Sequence, residues 1–169
     1  MNQFPPLLVK IFGNEWFERG NLSLNFKNAT IDQERVQVFA EQPEPGVNST
    51  KVWMEREDGM LVAIGTATVD EHVSTELRNK DFRACDPSEL RILHRLHAGL
   101  SLGEYDVHTS PVQQFERFDS QIISDPLDWY RHESPWGEPV AAPATVIEFL
   151  WAYPMQGMRP YLGEIVGLF

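Results

Sequence analysis

The chain has 169 residues, 42% of them hydrophobic and 23% charged, which predicts a soluble globular protein with a core of ordinary size. Its net charge of −11 excludes the basic surface that nucleic acid or an anionic membrane requires, although a local basic patch toward a polyanionic cofactor stays open. Cys85 is alone, so an internal disulfide is excluded, a cysteine metal site is not expected, and a reducing cytoplasm is the compartment that fits.

The opening MNQFPPLLVKIFGNEWF lacks the basic leader and small-residue cleavage site of a signal peptide, and no apolar run is as long as a membrane span. Behind its two prolines, Leu7, Leu8, Ile11 and Phe12 predict a helix over roughly 6–18 that ends at Gly20. LSLNFKN then alternates Leu22, Leu24 and Phe26 with Ser23, Asn25 and Lys27, and RVQVFAEQ repeats the pattern through Val36, Val38 and Ala40. PEPGVNST is a loop by composition, and TKVWMERE is a third strand. Asp58-Gly59 is a hairpin turn, and MLVAIGTATV is a fourth strand, apolar on both faces and therefore central. Four strands in succession predict an antiparallel meander.

Residues 70–86 read as a connector. DPSELRILHRLH predicts a helix capped by Asp86, with Pro87 in its first turn and Leu90, Leu93 and His97 on one face. GEYDVHTSPV reads as a strand and VQQFERFDSQII as a short helix. APATVIEFLWAYPM is apolar nearly all round, which predicts a helix buried on most sides and broken by Gly157 and Pro160. YLGEIVGLF reads as a strand only begun.

A meander together with one very apolar helix suggests an α+β fold of the hotdog type, a curved antiparallel sheet wrapped around a central helix. SPWGEPVAAPATVIEFL, after DPLDWY, resembles the S-P-[FW]-G-x-x-[VI]-A-x-P segment of MaoC-like acyl dehydratases and enoyl-thioester hydratases. GNLSLNFKNATIDQERVQV and WMEREDGMLVAIGTATV are similar to strand pairs of that family. The resemblance implies parts in unusual order. Residues 1–75 correspond to the helix and meander at the back of a hotdog, 76–100 to a connector and helix, and 101–169 to the strand, loop and central helix at the front. The chain is then either a permuted single hotdog or a piece of a tandem double one.

The resemblance also implies a chemistry. Hydration of an enoyl thioester needs a water held by an Asp and a His, with backbone N–H groups at a helix start polarising the thioester carbonyl. The family's D-x-N-P-x-H motif has its nearest counterpart in ISDPLD, where Ile123 replaces the Asp and Asp128 the His, with Asp125 at the Asn and Pro126 at the Pro. Asp125, Asp128 and His132 are the candidate acid and base groups; equally, Asp125 starts a turn and His132 is a surface residue. Trp129, Tyr130 and Trp136 either line an acyl pocket or pack the loop. Gly137 either lets an N–H approach a carbonyl or is a turn glycine. Ser134 and Ala142 complete the candidate substrate contacts.

His94 and His97, three apart on a helix, lack an acidic third ligand for a metal, and His108 reads as an exposed strand residue. No cofactor is expected. Two functions compete. One is a hydratase or dehydratase acting on an acyl thioester of coenzyme A or acyl carrier protein. The other is a non-catalytic hotdog subunit, or acyl-binding module, that completes a partner's pocket. A thioesterase is a third and weaker option. The expected assembly is a homodimer or a hetero-oligomer with another hotdog chain, without nucleic-acid or membrane partners.

Overall fold

The structure, a computed structural model, describes residues 2–70, 75, 79–81, 86, 95–97, 99–120 and 128–164. It divides into two units, Met1–Asp81 with Ile123–Asp128, and Phe82–Ile122 with Trp129–Phe169. Both helices and strands are present, and the strands form one four-stranded antiparallel sheet.

In the first unit the prolines act where a helix tolerates them. Pro5 takes the first position of α1 (Pro5–Phe12), where no N–H is needed. The single helix predicted over 6–18 is two. Gly13 adopts φ 64°, its N–H closes α1 on the Val9 carbonyl, and a five-residue α2 (Glu15–Arg19) follows. A left-handed residue ends α-helical geometry, and glycine takes it without strain.

The four strands lie where alternation predicts them: β1 (Asn21–Phe26), β2 (Val36–Ala40), β3 (Ser49–Arg56) and β4 (Leu61–Thr68). Their order is β1-β4-β3-β2, so the simple meander is corrected. Only β2, β3 and β4 follow one another. β1 leaves β2 and pairs with β4, Leu24 opposite Gly65. The reason lies in the connections. Asp58-Gly59 makes a tight turn between β3 and β4, with Gly59 at φ 80°. Residues 27–35 are too many for such a turn, and they run across the end of the sheet from one edge to the other. They are tied down on the way. Lys27 and Asn28 donate their backbone N–H groups to the Val62 carbonyl, and the Asn28 amide donates to the Leu61 carbonyl at 2.7 Å.

β4 is central, as its double apolarity predicts. One face of the sheet carries Leu22, Leu24, Val38, Val52, Met54, Ala63 and Ala67, and it is closed by Phe4 and Leu8 of the α1 region and Trp16 of α2. Gly65 is needed at the centre of this face. A Cβ there would stand 1.8 Å from the Ser23 carbonyl oxygen.

In the second unit, α3 (Pro111–Ser120) forms where a short helix is predicted. The strand expected over 103–112 is absent. Residues 101–110 run without regular structure, and Pro111 starts α3. The period-2 signal there was brief and mostly polar, too little to hold a ladder without an apolar face.

α4 (Pro143–Met158) forms as predicted but runs through Pro154 and Gly157. Gly157 does not break it; it is a contact point, because a Cβ there would lie 2.5 Å from the Leu102 Cβ. Residues 159–164 continue as a 3-10 turn, not as the start of a strand. Arg95 lies over the Tyr161 ring at 5.1 Å and donates to the Pro160 carbonyl at 3.3 Å.

The burial predicted for α4 is corrected as well. Val146 and Ile147 are exposed, and Leu150 and Trp151 are 63% and 65% exposed. At 100° per residue these four form one stripe. Composition on all sides shows that a helix can be buried, not that its own chain covers it. The helix predicted over 86–97, with His94, falls largely outside the described residues. No helix among the described residues is long and apolar enough to cross a membrane.

Candidate functional site

The polar stretch before α4 is held by one buried side chain. Gln114 of α3, 4% exposed, donates its amide to the Tyr130 carbonyl at 2.8 Å and to the Val140 carbonyl at 3.0 Å. Its own carbonyl accepts the Ala142 N–H at 2.9 Å. Both ends of the loop are thus tied to one residue, and the Val140 N–H closes it on the Trp129 carbonyl at 2.9 Å. Aromatic and ionic contacts add to this. Phe118 meets Tyr130 edge-on at 5.6 Å, and Arg131 lies over Phe118 and pairs with Asp119 at 2.8 Å.

The S-P-W-G segment inside the loop is a tight turn. Ser134 is buried; its hydroxyl donates to the Glu138 carbonyl at 2.5 Å and accepts the Trp136 N–H at 3.2 Å. The Gly137 N–H returns to the Ser134 carbonyl at 2.9 Å, and Gly137 has φ 95°, a conformation that strains other residues. Its N–H is therefore occupied within the turn, as a turn glycine's would be. Trp129 and Trp136 meet edge-on at 5.9 Å.

The candidate residues separate on these contacts. Tyr130, 1% exposed, packs the loop and does not line an open pocket. Trp129 is half-buried and Trp136 exposed. Ala142 is buried at the entry to α4, with its N–H taken by Gln114. Asp128 opens the 3-10 turn Asp128–Tyr130 and is exposed, as is His132. Neither side chain makes a hydrogen bond or ion pair among the described residues, so no acid–base pair is assembled there. Asp125 lies outside the described residues.

A concave feature of the second unit lies elsewhere. A cleft of about 620 Å³ runs between α3, α4 and residues 107–109, and it is lined by His108, Gln113, Arg117, Thr145, Glu148 and Phe149 among others. Arg117 pairs with Glu148 across it. None of the described candidates lines this cleft. It uses the side of α4 opposite the exposed stripe, so α4 has one face toward α3 and one free. His108 was visible in the sequence, but on a strand that does not form. Gln114 had a weak signal, a glutamine four residues before Phe118 on the apolar side of a predicted helix. Arg117 and Glu148 had none, since a long-range ion pair leaves no local pattern. Comparison of the chain with protein-family models, with curated proteins and with solved structures gives no match.

Proposed function

We propose that the chain handles an acyl thioester of coenzyme A or acyl carrier protein, as a hotdog-type protein akin to the MaoC-like hydratases and dehydratases. In this reading the Ser134–Gly137 turn and the start of α4 form one wall of the pocket, and the curved sheet that covers α4 in a hotdog comes from a partner. The observation that carries the reading is the exposed stripe of Val146, Ile147, Leu150 and Trp151, set directly after the family-like segment. An apolar stripe of this kind on a helix marks a surface meant to be covered.

The exposure of Asp128 and His132, without an ordering partner, favours the non-catalytic form: an acyl-binding subunit that completes another subunit's site. Catalytic acid–base groups are commonly held in place by a neighbouring group, and neither residue has one among the described residues. The experiment separates the two. The purified chain is mixed with crotonyl-coenzyme A and its enoyl absorbance followed, and binding of a saturated acyl-coenzyme A is measured by calorimetry. Binding without turnover is the expected result. Turnover that falls roughly a hundredfold in His132→Gln or Asp128→Asn would replace it with the catalytic reading. A chain that shows neither binding nor turnover would sink the thioester proposal.

A further inference from the structure

The crossing of residues 27–35 over the end of the sheet has a product of its own. Spanning from β1 past β4 and β3 to β2 needs roughly 14 Å at the usual strand spacing. A nine-residue segment can reach about twice that, so it has the length to arch over the end of the sheet. Beneath the arch is a cleft of about 550 Å³, in the range of small-molecule sites. Its apolar floor comes from all four strands: Phe26, Val36, Met54 and Val62. Its rim carries Lys27, Thr30 and Glu34.

The two rim charges differ in their freedom. Glu34 is committed to the arch: one carboxylate oxygen lies 2.8 Å from the Arg56 guanidinium, and the other accepts the Ile31 N–H at 3.1 Å. The Lys27 ammonium makes no hydrogen bond or ion pair among the described residues. A chain of net charge −11 thus sets a cation without an ion-pair partner at the edge of a cleft whose floor is apolar and whose rim is polar. Of the floor residues Phe26 is the most open, at 63% exposed. A straight hydrocarbon tail suits the floor, and a carboxylate suits the ammonium, with the Thr30 hydroxyl as a second donor.

We infer that this cleft binds a carboxylate amphiphile, a monoanion with a medium-length alkyl tail, at a site separate from the loop before α4. The inference stands on the first unit alone and does not depend on the thioester reading. The test titrates the isotopically labelled full chain with decanoate, decanol and decyltrimethylammonium, each below its micelle-forming concentration, and follows backbone amide shifts. Decanoate is expected to give saturable shifts in residues 26–36 and around Met54 and Val62. Decanol should bind at least fivefold more weakly, and the cation should give no saturable shift there. Lys27 is exposed, so Lys27→Glu keeps the fold, seen as an unchanged spectrum elsewhere, and should weaken decanoate at least tenfold. The proposal is overturned if the three probes bind alike, if decanoate saturates only elsewhere or nowhere, or if Lys27→Glu leaves its affinity unchanged.

Discussion

Gln114 shows how one polar side chain can organise a loop that looks functional. Three backbone groups of the loop depend on it; the bonds to Tyr130 and Ala142 are buried and the bond to Val140 is partly so. Replacing it by leucine keeps the volume and removes every bond. Gln114→Leu should cost about 3 kcal/mol or more, since each buried polar group left alone costs about 1–3 kcal/mol. Exposed Glu116→Gln, on the same helix, should stay within about 0.5 kcal/mol. Urea unfolding of both variants checks this; a Gln114→Leu loss under about 1 kcal/mol would mean the loop holds itself together. The same residue explains why the aromatic and ionisable groups cluster at 128–142. Tyr130 and Arg131 are there to dock the loop on α3, and their chemistry is used in packing.

The elements that the sequence makes legible are those whose own residues settle them. Leu22, Leu24 and Phe26 mark a strand without help, and Asp58-Gly59 marks a turn. A strand's partner is another matter, because alternation shows the face and not the neighbour; β1 could be placed only by the length of the 27–35 connection. Gly65 was silent in the same way, as an ordinary small residue in an apolar run. With its Cβ position 1.8 Å from the Ser23 carbonyl oxygen, Gly65→Ala forces β1 away from β4. A cost of about 2–3 kcal/mol is expected, as for other overpacked sites. A thermal melt within a degree of the parent protein would contradict the close approach. For α4 the composition misleads in the other direction: the helix is apolar nearly all round, yet one stripe of it faces solvent. Leu150→Glu and Trp151→Glu should therefore leave the unfolding free energy of the monomer within about 0.5 kcal/mol. A larger loss would show that the stripe is already covered.

At the scale of the whole molecule, that stripe is an unusual thing to leave in water. It bears no charge, so the chain's −11 does not oppose contact through it directly. The chain is expected to scatter light as more than one copy at micromolar concentration, and the double variant Leu150→Glu/Trp151→Glu to scatter as one. A parent protein that stays monomeric, with the double variant no different, would leave self-association without support and point to a different partner. The candidate site was legible in the sequence only as a region. Residue types showed where polar and aromatic groups gather; which of them face solvent, and which hold the backbone, depended on a helix whose position no local pattern gives.

The strand order also carries a consequence in time. β2, β3 and β4 are joined through residues 41–48 and 57–60, so their ladders close over short stretches of chain. β1 must find β4 across residues 27–60, and long closures are entropically late. The three-stranded meander should be formed in the folding transition state and β1 should dock after the barrier is crossed. In stopped-flow chevrons, Leu24→Ala in β1 is then expected to speed unfolding and barely change folding, with a φ-value of about 0–0.3, while Val52→Ala in β3 slows folding. Equal φ-values at the two positions would mean that the sheet closes in one step. If β1 does dock last, the cleft floored by all four strands is completed only after the other three have paired, and the chain acquires that hollow late in folding.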